Sequence, residues 1–122
     1  MRIAVLGDSF IEGDIITADL REQLQNLCGG RGVGFVPFAS PLAKFRGTVL
    51  HSFSNWDIYN IRDRAQIPAA IKDRFFVSGF VCIPQEGATT RLQGVTFRKH
   101  INQAGTARLV FTNRNNTRLN VV

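Results

Sequence analysis

The chain has 122 residues, of which 44% are hydrophobic and 20% charged, and its formal net charge is +6. This composition is ordinary for a globular protein, and the length suits one domain with a real core. No apolar run approaches the roughly 20 residues that span a bilayer, so the sequence predicts no membrane-spanning helix.

The positive charge is unevenly distributed along the chain. Residues 1–30 carry five acidic and two basic side chains, whereas residues 31–122 carry four acidic and thirteen basic ones. A basic surface can attract a polyanion. Here, however, the basic residues are scattered at strand-like intervals, without the clusters and stacked aromatic rings that nucleic-acid grooves favour. We therefore interpret them as a solvated face and expect no nucleic-acid partner.

The first predicted element is a strand that ends in a serine turn. Ile3–Leu6 is continuously apolar, as expected of a strand covered on both faces, and Gly7, Asp8 and Ser9 follow it. In open α/β sheets the ligand crevice lies at this carboxyl edge. Ser9 is therefore placed as a nucleophile would be, with its own N–H as an oxyanion donor. Asp8 is expected to support the turn through side-chain-to-backbone hydrogen bonds.

A helix is predicted after this turn. Its apolar residues recur at helical spacing and form one stripe, made of Ile16, Leu20, Leu24, Leu27 and Cys28. Thr17 or Asp14 is suited to cap its start, and Gly29 with Gly30 to end it.

The glycines at 30, 32 and 34 follow the helix instead of opening it, so a turn explains them better than a phosphate-binding loop does.

The remainder of the chain is predicted to be β-rich. Short apolar or alternating runs occur at Thr48–Phe53, Phe75–Ile83, Thr89–Phe97, Ala107–Thr112 and Arg118–Val122. Turn sequences separate them at 84–87, 103–105 and 113–116, and a short helical turn is expected around 68–73. This spacing favours an antiparallel sandwich. The predicted fold class is thus an α/β start followed by a mainly β, sandwich-like region, α+β overall.

The cysteine and histidine residues predict neither a disulfide framework, nor a metal site, nor a catalytic base. Cys28 and Cys82 are too few for a disulfide framework, and we predict that both are buried as small hydrophobic residues. No metal-ligand spacing occurs, so no metal site is predicted. His51 and His100, the only histidines, lie in β-rich segments where a structural or surface role is favoured over catalysis.

Judged by spacing alone, the Gly-Asp-Ser turn is either a nucleophile turn or a plain strand end.

The residues around Ser9 resemble a known family. Gly7-Asp8-Ser9-Phe10 after an apolar strand is similar to the first sequence block of the SGNH or GDSL hydrolases. A longer pattern resembles the peptidoglycan O-acetylesterase branch of that family, in which a β-sandwich similar to a carbohydrate-binding module is inserted after the first block. This pattern consists of residues 7–14, Thr17, Leu20-Arg21, Leu24-Gln25 and residues 30–37. The motifs cover about the first third of the chain, and the rest matches in layout.

The resemblance implies a serine esterase without a cofactor. Ser9 would attack an O-acetyl ester of a peptidoglycan or another acetylated polysaccharide, and the parent protein would be periplasmic or extracellular, although no signal peptide occurs here. Residues 1–34 would be an incomplete hydrolase unit and 35–122 the β insertion. The family's oxyanion Gly, its Gly-x-Asn-Asp block and its Asp-x-x-His are not found in this chain. We therefore expect the chain alone to be inactive.

A second interpretation is a non-catalytic glycan-binding β module. Trp56 and Tyr59 are the only plausible sugar-stacking pair, although core packing competes as an explanation for Trp56. The incomplete sheet would also leave open strand edges, which invite pairing with another chain. Self-association is therefore expected.

Overall fold

A computed structural model describes residues 3–112 and 118–122 of the chain. It has mixed α/β content, with two helices and one antiparallel sheet of two strands. In chain order these are α1 (Ser9–Glu12), α2 (Thr17–Cys28), β1 (Val49–Asn60) and β2 (Phe80–Gly94). Three single-turn 3₁₀ helices lie between them, at Ala43–Phe45, Arg64–Gln66 and Ala69–Ile71. The last of these confirms the helical turn predicted around 68–73.

Helix α2 confirms the predicted amphipathic helix and its glycine stop. It ends at Cys28, and Gly29 follows with a φ of 73°, a left-handed conformation that glycine adopts without strain. The predicted cap is wrong, because Ile16 precedes the helix and no side chain caps its first turn. The apolar stripe is also uncovered, with Leu27 82% exposed. Cys28 on that stripe is consequently exposed, which corrects the prediction that it is buried.

The sheet is a long hairpin, with Val49 opposite Gly94 at one end and Asn60 opposite Phe80 at the other. The turn predicted at 84–87 is wrong, because these residues continue β2. The register shifts here between Ser54 and Trp56, where Asn55 on β1 faces the unpaired residues 85–88 of β2. Asn55, with a φ of 58°, donates from Nδ2 to the carbonyl of Glu86 over 3.2 Å. Residues 85–88 have no partner on β1, so the local turn signal coincides with the interruption of the ladder. Pro84 lies at this irregularity and is not required to donate in a regular ladder.

Three further predicted strands are not formed in the described part of the chain. Residues 3–6, 107–112 and 118–122 lie outside the helices and strands. A strand needs a neighbour for its backbone N–H and C=O groups, and the described residues contain only the β1–β2 pair. The β sandwich and the α/β sheet that residues 3–6 would begin therefore stay predictions. The turn predicted at 113–116 lies outside the described residues.

The core lies on one face of the hairpin, beneath the segment that precedes β1. The Phe38 carbonyl accepts a hydrogen bond from Thr90 Oγ1 at 2.7 Å and lies 3.1 Å from His51 Nε2. The Cys82 thiol donates to the Ala39 carbonyl over 3.2 Å. The buried apolar residues of the described chain are Ala18, Ala39, Ala43, Val49, Ile67, Ile71, Phe80 and Ile101. Many larger apolar side chains remain exposed.

Candidate functional site

Ser9 is the first residue of α1, and its turn is held by Asp8. The Asp8 side chain accepts a 3.0 Å hydrogen bond from the backbone N–H of Phe10, and the Asp8 carbonyl accepts another from Ile11 N–H. This is an N-cap, which satisfies amides that the first helical turn leaves without partners. A Cβ at Gly7 would lie 2.5 Å from Ile11 Cγ1, so a larger residue there would require the Ile11 side chain to move. The arrangement presents an exposed Ser9 at a helix start.

An open apolar cleft of about 240 Å³ borders Ser9. Phe10 and Ile15 line one part of it, and Leu42 and Phe45 from the segment before β1 line the rest. The two parts of the chain that were predicted as separate units thus meet beside the serine. A hydroxyl at the rim of an apolar cleft is a suitable place for an ester carbonyl to approach.

Neither histidine is engaged with Ser9. His51 Nε2 lies 3.1 Å from the Phe38 carbonyl oxygen, and His100 Nε2 lies 3.0 Å from Asn26 Oδ1. A serine nucleophile needs a base within hydrogen-bond reach of its hydroxyl. Both histidine rings are directed to other groups, as the structural interpretation of these residues predicts.

The most constrained polar cluster surrounds Asp14, which is only 3% exposed. Its carboxylate accepts hydrogen bonds from the Thr17 hydroxyl, from both Nη atoms of Arg21, and from Thr48 Oγ1 at 2.7 Å. Burial raises the pKa of the Asp14 carboxyl, but the hydrogen bonds from Arg21, Thr17 and Thr48 outweigh this, so the pKa lies below its usual value. Asp14 is therefore held as a buried anion.

Arg46 extends this cluster into the β-rich region. One of its Nη atoms lies 3.7 Å from Asp14 Oδ2, and its guanidinium donates to the carbonyls of Val33 and Phe35 over 2.8 and 2.9 Å. Burial lowers the pKa of Arg46, and the Asp14 carboxylate opposes that shift. The cluster thus joins α2, the glycine-rich turn and the residues that lead into β1.

Sequence reasoning missed this cluster, apart from suggesting Asp14 as a helix cap. Thr17 and Arg21 stand four positions apart on α2, a spacing that brings side chains together along one side of a helix. Asp14 precedes that helix with a left-handed backbone, so helical spacing does not pair it with them. Thr48 and Arg46 are distant in sequence, so only the tertiary structure brings them to Asp14.

Trp56 and Tyr59 do not form one stacking surface. The Trp56 ring stacks on Phe38, with centroids 5.3 Å apart and planes 17° from parallel, and its Nε1 donates to the Thr89 carbonyl over 2.9 Å. Tyr59 pairs across the sheet with Val81. Because side chains alternate along a strand, residues 56 and 59 project from opposite faces of the hairpin.

Two further observations apply to residues 3–112 and 118–122. In these ranges no group of three or more His, Cys, Asp or Glu side chains is arranged to hold a metal ion. None of the helices there has the length and apolar character needed to cross a membrane.

Comparison of the chain with protein-family models, with curated proteins and with solved structures found no match.

Proposed function

We propose that this chain supplies the nucleophile of an SGNH-type serine esterase that removes O-acetyl groups from a bacterial cell-wall or other polysaccharide. The observation that carries the proposal is the Ser9 turn. An exposed hydroxyl stands at the start of α1, and the side chain of Asp8 caps the turn through the N–H of Phe10. Asp8 supports the turn and takes no part in proton transfer.

The proposed reaction is acyl transfer in two steps. Ser9 Oγ attacks the ester carbonyl and loses its proton to a base, and the sugar hydroxyl leaves with a proton as the acetyl-enzyme forms. Water then attacks the acetyl-enzyme and releases acetate. The Ser9 N–H is one donor to the oxyanion. The base and the other donors would come from residues outside this sequence, in the full exported protein, and the reaction needs no cofactor.

The uncovered apolar surface of residues 3–27 supports this proposal. Ile3 is 54% exposed and Leu6 is 81% exposed, and the stripe of α2 is likewise open. One βα unit cannot cover its own strand on both faces. In the proposed enzyme, residues 3–6 would be the first strand of a flavodoxin-like sheet, further strands would cover this surface, and the β-rich region would belong to an inserted sandwich.

The alternative glycan-binding module has less support from the geometry. Phe38 stacks on one face of the Trp56 ring, and Tyr59 lies on the other face of the hairpin. A sugar could not stack on both rings at once.

The test begins with the gene, read downstream of the codon for Val122. The proposal expects an open frame that encodes Gly-x-Asn-Asp and then Asp-x-x-His. The protein encoded by that frame should hydrolyse an acetyl ester, and Ser9→Ala should lower kcat/KM by about 10³-fold or more. Ser52→Ala, at an exposed serine on β1, is the matched control and should keep full activity. Full hydrolysis by the Ser9→Ala protein would reject Ser9 as the nucleophile.

A further inference from the structure

The buried carboxylate of Asp14 takes no part in the proposed reaction, yet it stands at the end of the serine helix. Its backbone has a φ of 59°, a left-handed conformation that few residues other than glycine, asparagine and aspartate adopt readily. A charged side chain at 3% exposure with a left-handed backbone is costly, and several interactions must combine to hold it.

Three successive amides centred on Asp14 close the carboxyl end of α1. Gly13 N–H donates to the Ser9 carbonyl over 2.8 Å, Asp14 N–H to that of Ile11 over 3.0 Å, and Ile15 N–H to that of Phe10 over 3.0 Å. Two of these bonds therefore end on Ser9 itself and on its neighbour. The left-handed backbone of Asp14 makes the reversal that brings the Ile15 amide back to the Phe10 carbonyl.

The side chains on this closing turn tie it to the β-rich region. The Asp14 carboxylate accepts from Thr48 Oγ1, which is 2% exposed and immediately precedes β1. Glu12 Oε1 accepts from the buried Ser40 hydroxyl over 2.7 Å. On the other side of Ser9, residues 3–6 are exposed and belong to no helix or strand. The serine helix is therefore anchored from its carboxyl end.

We propose that Asp14 is a positioning residue for Ser9. Its carboxylate, held by Thr17, Arg21 and Thr48, fixes the turn whose amides bind the carbonyls of Ser9 and Phe10. It touches no substrate. The consequence for catalysis rests on the function proposed above, whereas the effect on the Ser9 turn does not depend on it.

The direct test is to measure NMR scalar couplings between amide nitrogen and carbonyl carbon atoms across hydrogen bonds, in the 122-residue chain labelled with ¹⁵N and ¹³C. Asp14→Asn is the main variant, because asparagine adopts the left-handed conformation and keeps the size but loses the charge. We expect the coupling from Ile15 N to the Phe10 carbonyl carbon to be lost, because this bond follows the left-handed residue. Couplings within the β1–β2 hairpin should persist. Asp73→Asn, at an exposed aspartate, should change none of them.

A second pair of variants keeps the test decisive if Asp14→Asn does not fold. Thr48→Val preserves shape but removes the hydroxyl that donates to Asp14, and Thr48→Ser keeps the hydroxyl. The Ile15–Phe10 coupling should be lost in the first variant and retained in the second. Its persistence in a folded Thr48→Val or Asp14→Asn protein would overturn the proposal, because a residue that only stabilises the fold leaves the native turn intact.

The full open reading frame supplies the catalytic readout. If Ser9 is the nucleophile, Thr48→Val should lower kcat by about tenfold or more with KM unchanged, since a displacement of about 1 Å is costly in catalysis, and Thr48→Ser should restore it. Equal kcat in both variants would overturn the positioning role. Activity that survives Ser9→Ala would instead reject the proposed function and leave the coupling result to decide the role of Asp14.

Discussion

The Thr48 hydroxyl donates a 2.7 Å hydrogen bond to Asp14 Oδ2, between residues that are 34 positions apart in the chain. Both residues are almost completely buried, and the bond joins the end of the serine helix to the start of β1. It belongs to a cluster in which one carboxylate faces two guanidinium groups, those of Arg21 and Arg46. The helical start and the β-rich region are therefore held together by charge and hydrogen bonding as well as by apolar contact.

Removal of the Asp14 carboxylate should strongly destabilise the protein. Asp14→Ala leaves Arg21 and the buried Arg46 without their counter-charge, and loss of one partner from a buried ion pair costs about 3–5 kcal/mol. Urea unfolding followed by Trp56 fluorescence measures this loss. Asp73→Ala, at an exposed site, should change the free energy of unfolding by less than about 0.5 kcal/mol. Equal stability of the two variants would contradict the prediction.

Acid should weaken the fold through the same group. The pKa of Asp14 is lowered in the folded state, because hydrogen bonds from Arg21, Thr17 and Thr48 outweigh the effect of burial. Its stabilising contribution is thus complete above the unfolded pKa of about 4 and is lost as the pH falls below that value toward the folded pKa. Urea titrations between about pH 7 and pH 2 should show a steeper loss of stability in the wild type than in Asp14→Asn. Parallel curves would exclude this contribution.

The two thiols should differ in reactivity. Cys28 is exposed, whereas Cys82 is half-buried, lies 3.2 Å from the Ala39 carbonyl oxygen and has a pKa raised by burial. Because the thiolate is the reactive form, a disulfide reagent such as DTNB at about pH 8 should modify Cys28 at least about tenfold faster. Cys28→Ser should remove the fast phase, and urea should abolish the difference in the wild type. A single fast phase from both thiols would show that Cys82 is open to solvent.

The uncovered apolar surface should make the isolated chain associate. Leu6 and Leu27 are each more than 80% exposed, and within residues 3–112 and 118–122 each strand of the hairpin has one edge without a neighbouring strand. Light scattering should therefore give a mass that rises with concentration. Leu27→Lys should reduce this rise, whereas Gln23→Lys adds the same charge at an exposed polar site on α2 and should reduce it less. A wild-type monomer at high concentration would refute the expectation.

Local signals in the sequence predicted the elements whose stability is local. Helix α2 and its end before Gly29 follow from apolar spacing and from a glycine that tolerates a left-handed backbone. The serine turn likewise depends on close neighbours, since the Asp8 side chain reaches the amide of Phe10 only two residues away. Such contacts can be inferred from composition and spacing over a few positions.

Tertiary contact decided the rest. The residues predicted as a turn at 84–87 lie within β2, because the strand pairs with β1 on both sides of an irregularity at residues 85–88. Asn55 on the opposite strand donates to the Glu86 carbonyl there. Residues 3–6 read as a strand but have no neighbouring strand in the described chain, and backbone groups without such a partner do not form a sheet. Asp14 is a buried anion because Thr48 and Arg46 reach it from more than 30 positions away, and no local pattern encodes a contact of that separation.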